Sequence, residues 1–491
     1  MNTEKILSGK KAPAPLPVGD LVLKRTKSSG WGVGLFLLSL LLSSCGVYNK
    51  YERPDVVTEG LIRDAVVDGD TLAVAPQDTA SFGNLPWREV FTDPQLQSLI
   101  EQGLERNANL LNATLNVQMY ETMLKAAKLA FLPSVILGGQ NMGSISTVYT
   151  DPSSTTKSYS FPITASWTLD LFGNILSQKR STQMKLLGLK DYQMAVRAQV
   201  VSGITNAYYT LLMLDEQLRI VTEMQAMAKE TWEMMQLQYN LGRVRSTNVQ
   251  SAQAAYLSTQ TQINDFRRQI RATENALSLL LGQQGQQIPR STLAQQSLPS
   301  QFKTGVGVAL LKNRPDVHNA EMTLAACFHD VQTARSQFYP NITVGATAAF
   351  GNVNGSLNPG KWLTTLFGSL TQPIFQRGAL TANLKVSKYQ YEQAFNTWQN
   401  LILQAGNEVS NALVNYNGYD ENSMVESQRV EVLTKNVEDT RALYKSSGST
   451  YLEVLTAQTQ LLSAQLNKVT ADFNKMQSVV SLYTALGGGG K

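Results

Sequence analysis

Few residues of this 491-residue chain are of types that do covalent or metal chemistry. There are two cysteines, Cys45 and Cys327, and two histidines, His318 and His329. Cys327 and His329 stand two apart, and on a helix such positions point in different directions. His318 lies nine residues before Cys327, outside the usual zinc-ligand spacings. The P-loop, nucleophile-elbow and HExxH patterns are missing, so neither a metal, a cofactor nor an enzymatic activity is expected. The net charge is only +5, and no Lys/Arg cluster carries interleaved aromatics, which argues against nucleic acid as a partner. Two positions keep a chemical interest: a thiol, Cys45, at the end of an apolar run, and a carboxylate, Glu453, beside a helix-to-helix turn.

The run before Cys45 opens after Lys24, Arg25 and Lys27 and extends from Trp31 to Leu42. A membrane-spanning helix needs roughly 20 apolar residues; this shorter stretch fits the h-region of a secretory signal peptide. Its end, Leu42-Ser43-Ser44-Cys45, resembles a bacterial lipobox. That resemblance implies cleavage before Cys45 and attachment of lipid to its sulfur, with Gly46 in place of an inner-membrane retention aspartate. The alternative is an ordinary secretory peptide with a chance cysteine. The reading divides the start of the chain into a signal peptide, 1–44, and a tail, 45–90.

The elements that follow are written twice. Ala127-Lys128-Leu129-Ala130-Phe131-Leu132-Pro133 returns as Ala334-Arg335-Ser336-Gln337-Phe338-Tyr339-Pro340, 207 residues on. Tyr239, Ala252-Gln253 and Leu281-Gly282 return as Tyr444, Ala457-Gln458 and Leu486-Gly487, 205 residues on. This is far longer than a solenoid repeat, so one structural half has been duplicated. The halves are placed at 91–290 and 291–487, with 488–491 as a flexible C-terminus.

Each half offers two strand candidates, at about 133–145 and 158–171, then 340–350 and 362–374. Tyr159, Phe161, Ile163, Ala165, Trp167 and Leu169 alternate with Ser, Thr and Pro, and Ile342, Val344, Ala346, Ala348 and Phe350 with small or polar residues. Such alternation sets one apolar face against a wetter one. Two soluble hairpins lying on helices would give the same pattern. If the strands cross a membrane, four are too few, since closed barrels need at least ~8 and lipid tolerates no open edge. Several copies must then share one wall.

The remaining sequence is helical, with a helix expected at about 314–338. Ile204, Ala207, Leu211, Leu214, Leu218, Val221 and onward to Tyr239 step by three and four, as do Leu452, Leu455, Thr459, Leu462 and Leu466. These are coiled-coil seams. No proline interrupts 163–288 or 374–491, which allows helices on the order of 100 Å long at ~1.5 Å per residue. A second line through Val454, Ala457, Leu461 and Ala464 gives the last helix two contact faces, as a ring of helices around a hollow requires. A plain solvated bundle would look similar.

Together these parts resemble the outer-membrane efflux proteins of the TolC type, in the lipid-anchored branch (NodT/OprM-like outer membrane factor lipoproteins) that serves resistance-nodulation-division pumps. The likeness rests on Cys45 with Tyr51-Glu52-Arg53-Pro54, Trp167-Thr168-Leu169-Asp170-Leu171-Phe172-Gly173, Asn313-Arg314-Pro315-Asp316 with Ala320-Glu321, and Leu370-Thr371-Gln372-Pro373-Ile374-Phe375 with Gly378. It implies a mainly α fold with a small β part: a homotrimer whose four strands per chain close a twelve-stranded transmembrane barrel, continued by a periplasmic α-helical barrel. It further implies an outer-membrane location, lipid anchorage, and as partners a periplasmic adaptor protein and an inner-membrane pump. The chain would then be a passive exit duct for drugs or other small molecules.

The same resemblance gives roles to the two turns that contain glycine after a tyrosine. Leu241, Gly242, Arg243, Ser447 and Gly448 become adaptor-contacting tips, and Glu453 and Thr456 a periplasmic gate. Thr456 stands where relatives often carry aspartate. Plain hairpin turns and a solvated glutamate are the bland readings of these residues. Competing functions are a coiled-coil structural envelope lipoprotein, and a duct for metal efflux or protein secretion.

Overall fold

The computed structural model describes residues 49–55, 82–138, 148–151, 154–156, 158–297, 314–353, 362–446 and 450–490. The signal peptide, Cys45, Ser447 and Gly448 lie outside them. The duplication read from the sequence reappears as paired elements. The first half has α1 (Trp87–Val90), α2 (Pro94–Arg106), α3 (Ala108–Leu129), β1 (Ser134–Leu137), β2 (Val148–Asp151), β3 (Ser154–Thr156), β4 (Ser158–Leu169), α4 (Asn174–Asn240) and α5 (Ser246–Leu280). The second has α6 (Pro315–Ser336), β5 (Asn341–Val353), β6 (Trp362–Thr371), α7 (Ala379–Lys445) and α8 (Tyr451–Ala485). Equivalent helices match in length: α3 and α6 have 22 residues, α4 and α7 have 67, α5 and α8 have 35. At ~1.5 Å per residue the longest pair extends about 100 Å.

The strands form one antiparallel sheet in the order β1-β4-β5-β6, and β2 pairs separately with β3. The central pairing, β4 with β5, runs from Ser158↔Val353 to Leu169↔Ile342 and joins the two halves. Side-chain hydroxyls meet across it and beside it: Thr164 with Thr347 at 3.2 Å and Ser134 with Ser166 at 3.0 Å. These residues share the polar face that alternation placed opposite Ile163, Ala165 and Trp167.

At the strand-to-helix junctions the quoted motifs acquire physical roles. Asp170 accepts from the backbone N–H groups of Ile175 and Leu176 at 3.2 and 2.8 Å, closing the N-terminus of α4. Trp167 Nε1 donates to Phe131 O at 2.9 Å, and the equivalent Gln372 Nε2 donates to Phe338 O at 2.8 Å. Different side chains thus make the same tie in the two halves.

In the helical layer α4 packs against α2, α3, α5, α6 and α8, and α7 against α6 and α8. The main core gathers Trp87, Phe91, Leu96, Ile100, Ile204, Tyr208, Tyr209, Leu277 and Tyr483; a second gathers Val317, Leu324, Trp398, Ile402, Val409 and Leu482. Trp87 and Val90, at the end of the expected N-terminal tail, are part of the folded core, because burying large apolar surface there outweighs the cost of ordering it. At the other end, Gly488, Gly489 and Gly490, expected to be part of a flexible C-terminus, are buried against Tyr483, Ala198 and Met194, and a Cβ at Gly488 would collide with the Tyr483 ring.

The short helices are fastened to the helices below them by matching bonds. Asn107 caps α3 through Oδ1, while its Nδ2 donates to Leu280 O, at the end of α5, at 2.9 Å. The equivalent Arg314 starts α6 and donates to Ala485 O, at the end of α8, at 3.2 Å. Arg314 also pairs with Asp316 at 2.6 Å and Glu408 at 2.7 Å, its own side chain 8% exposed. Arg53 pairs with Glu321 at 3.1 Å and lies over the Trp398 ring, which docks the Tyr51–Pro54 motif on α6 and α7. Replacing Arg314 by Met should destabilise the protein by about 1–3 kcal/mol, since it leaves the buried Ala485 carbonyl without its donor and the part-exposed Asp316 and Glu408 without their partner. Arg53→Met, at a 43% exposed guanidinium whose partner Glu321 is only 11% exposed, should cost a comparable ~1–3 kcal/mol, because it leaves that carboxylate unpaired. Thermal unfolding followed by circular dichroism compares the two.

Candidate functional site

Two features of the described chain are incomplete in a single copy. The first is the sheet: among the described residues, β1 and β6 pair on one side only. Their surroundings are apolar and bare, with Leu137 71%, Leu366 85% and Ile374 96% exposed. An open edge beside exposed apolar side chains invites pairing in water and is not tolerated in lipid. The second is the helical layer, whose large exposed apolar residues concentrate on α3 (Leu111, Leu115, Met119, Met123) and along α7 (among them Tyr389, Leu403 and Val432). Patches of this kind mark contact surfaces.

The far end of the helices carries the predicted tip. At the α4–α5 turn Gly242 has φ +70°, and its N–H donates to Tyr239 O while Arg243 N–H donates to Gln238 O, both at 2.9 Å. This double bond pattern ends a helix and needs a residue at ease with positive φ. Nothing lies within 4 Å of a Cβ added there, and Leu241 and Arg243 are exposed on either side. The opposite turn, with Ser447 and Gly448, falls outside the described residues.

Glu453 and Thr456 lie in the first turns of α8, both exposed. Glu453 has a local task that the sequence reading did not include. Its carboxylate accepts from Thr450 N–H at 2.9 Å while Thr450 Oγ1 accepts from Glu453 N–H at 3.4 Å, a capping box. Thr456 Oγ1 donates to Leu452 O at 2.8 Å. Val454, Ala457, Leu461 and Ala464 are buried, so the second line of α8 is a packing face.

Just inside the turns, all four long helices meet. Met235, Val249, Ala252 and Tyr451 form a small core with Trp232, Tyr444 and Leu455 around it. Arg441 on α7 pairs with Glu230 on α4 at 2.7 Å, and Tyr444 Oη donates to Gln238 Oε1 at 3.0 Å. Tyr444 is legible in the sequence as the repeat of Tyr239, whereas Arg441 and Glu230 are not, because no pattern along one strand of sequence announces a pair 211 residues apart.

Elsewhere the titratable groups are occupied in packing. Burial pushes the Cys327 thiol up, helped by Asp330, and pushes the His329 imidazole down. Asp191 is raised by burial, partly offset by His318, whose Nδ1 lies 2.6 Å away. Burial alone would raise Asp93, but hydrogen bonds from Ser291, Tyr208, Gln296 and the Gln95 N–H outweigh it and hold the carboxyl below its ordinary value. A cleft of about 600 Å³ contains Arg219, Lys468 and Lys475, and each is paired, with Glu216, Asp472 and Asp420 respectively. Among the described residues no group of three or more His, Cys, Asp or Glu is placed to share a metal ion, and no helix is long and apolar enough to cross a membrane.

Comparison with known proteins accounts for this architecture. The family described as outer membrane efflux protein matches the chain twice, over residues 99–283 and 306–488, one match for each half. The cation efflux system protein CusC of Escherichia coli O157:H7 is 27% identical over 460 residues, covering 92% of this chain and 98% of that protein. The toluene efflux pump outer membrane protein TtgI of Pseudomonas putida is 29% identical over 462 residues, covering 92% and 96%. A crystal structure of CusC superposes with a TM-score of 0.79 at 26% identity, covering 90% of this chain and all of that one. The open-state MtrE channel of Neisseria gonorrhoeae shares the fold, at TM-score 0.75 and 24% identity over 90% of this chain and 98% of that one. The chain therefore belongs to the outer membrane efflux protein family, whose members are channels and not enzymes.

Proposed function

We propose that three copies of this chain form the outer-membrane exit duct of a tripartite efflux pump, passively conducting drugs or other small molecules that an inner-membrane resistance-nodulation-division pump and a periplasmic adaptor deliver. The observation that carries this reading is the four-stranded sheet with two open edges. Three copies supply twelve strands, enough to close a barrel and leave no edge in lipid. Cys45 carries the lipid that anchors the mature N-terminus. Leu241, Gly242, Arg243, Ser447 and Gly448 form the periplasmic tips that meet the adaptor. Glu453 and Thr456 line the constriction, where three symmetry-related carboxylates favour cations.

The relatives divide on cargo, since CusC is named for cation efflux and TtgI for toluene efflux. Efflux of metal cations is accordingly the second reading, favoured by the likeness to CusC. A deletion strain that loses tolerance to organic solvents and drugs, and not to salts of metal cations, supports the first; the reverse pattern supports the second.

Purified, detergent-solubilised protein should run as a trimer that dissociates on heating and should conduct in planar bilayers. A stable monomer without conductance would overturn the proposal. Glu453→Gln keeps an acceptor for the Thr450 N–H and removes only the charge, so it should lower cation selectivity without loss of trimer. Unchanged selectivity removes Glu453 from the gate. Gly242→Val meets no neighbour, yet it forces a β-branched residue to positive φ at a cost of about 1–3 kcal/mol. It should lower resistance several-fold while the trimer persists.

A further inference from the structure

The four junctions between strand and helix lie at one end of the sheet. The registers Ser134↔Ser166, Leu169↔Ile342 and Asn341↔Thr371 bring the start of β1, the end of β4, the start of β5 and the end of β6 together there. Each junction carries a cation: Lys128 in the last turn of α3, Lys179 in the second turn of α4, Arg335 in the last turn of α6 and Arg377 just before α7. Lys128 and Arg335 are repeat equivalents, 207 residues apart. Lys128, Arg335 and Arg377 are exposed and Lys179 is partly so.

This charge is not used up within the chain. The described acids nearest the junctions along the sequence are engaged elsewhere. Asp170 accepts from the N–H groups that open α4, Glu121 pairs with Lys190, and Asp330 pairs with Lys185. Among the described residues no ion pair includes Lys128, Lys179, Arg335 or Arg377. A cation in the last turn of a helix suits the helix dipole, which covers Lys128 and Arg335. It does not cover Arg377, which precedes the positive end of α7. Neither α4 nor α7 has an acid in its first turn. The whole chain carries a net charge of only +5, so four unpaired cations at one end of the sheet are a local excess.

The cations border the apolar face of the sheet. Lys179 Nζ lies 5.8 Å from the centroid of the Phe131 ring, and Phe131 O accepts from Nε1 of Trp167, which shares its face with Ile163 and Ala165. Exposed apolar side chains adjoin the other three along the chain: Leu129 and Leu132 follow Lys128, Phe338 and Tyr339 follow Arg335, and Ile374 and Phe375 precede Arg377. Rings and aliphatic groups meeting unpaired cations along one line match a membrane–water boundary, where rings sit at headgroup level and long cationic side chains reach to water.

We propose that Lys128, Lys179, Arg335 and Arg377 form a collar that binds the phosphate groups of anionic phospholipid, in the leaflet on the helix side of the sheet. The proposal rests on the reading of the sheet as membrane-spanning and adds the lipid class and the residues that select it. A cation beside an anionic surface gains an attraction that a zwitterionic surface does not supply. Arg335 and Arg377 also suit phosphate oxygens through their paired N–H groups. In the three-copy assembly the collar repeats around the barrel and gathers a ring of such lipid.

The test is tryptophan quenching in the full chain carrying Trp362→Phe, which leaves Trp167 to report from this end of the sheet. The protein is reconstituted in phosphatidylcholine vesicles in which brominated phosphatidylglycerol or brominated phosphatidylcholine replaces part of the lipid. Phosphatidylglycerol should bind about fivefold more tightly than phosphatidylcholine, the worth of one cation at an anionic surface. At about 1 M salt, where the Debye length is ~3 Å, the ratio should fall to about one. Equal binding at low salt, or a preference that salt leaves unchanged, overturns the collar without any substitution. Lys128→Gln, Lys179→Gln, Arg335→Gln and Arg377→Gln together should abolish the preference, while Lys128→Arg, Lys179→Arg, Arg335→Lys and Arg377→Lys together keep it. A preference that survives in the neutralised protein overturns the assignment to these residues. Failure of brominated phosphatidylcholine to quench Trp167 overturns the membrane-spanning reading itself.

Discussion

Backbone N–H and C=O groups must find partners wherever water is excluded, and the four-stranded sheet leaves those on the outer edges of β1 and β6 without strand partners among the described residues. In hydrocarbon that arrangement costs several kcal/mol for each unpaired group. The rest of the architecture follows from this constraint. In the proposed assembly the edges are closed by another copy, the copies repeat around an axis, and the helices that leave the sheet repeat with them. The long, proline-free helices extend away from the sheet and end in the turns that carry Gly242 and precede Glu453.

Duplication makes such a ring economical. Each half presents the same set of ties at the same places, even where the residues differ. Asn107 and Arg314 both reach a carbonyl at the end of a 35-residue helix, and Trp167 and Gln372 both reach a backbone oxygen before the first strand of their half. What is held constant is the geometry of the bond and not the identity of the donor. The halves differ where their neighbours differ: α6 is tied to α4 by His318 with Asp191 and Asp330 with Lys185, while the equivalent positions of α3 are the exposed Leu111 and Met123.

Much of the architecture was legible in the residues. The offsets of 205 and 207, the three-four seams and the proline-free stretches foretold helices whose lengths agree in pairs. Alternation foretold β4 and β5, and β6 formed although its pattern was poor, because pairing with β5 from Asn341↔Thr371 to Phe350↔Trp362 supplies what propensity lacked. At the tip, Gly242 was legible as a turn because only the backbone requirement for positive φ had to be read. The capping role of Glu453 was equally local, a Thr-x-x-Glu pattern, and went unread beside a more distant role.

The sequence by itself determined the periodicity of every long element, the duplication and the shortage of strands, since each of these is written in the spacing of neighbouring residues. Only the tertiary structure decided which distant groups meet: Arg53 with Glu321, Arg314 with Glu408, Arg441 with Glu230. It also decided that Gly488, Gly489 and Gly490 are buried and that the exposed apolar residues gather on α3 and α7. Such contacts depend on how helices are rotated and stacked in space, and a one-dimensional period fixes the face of a helix without saying what that face will meet.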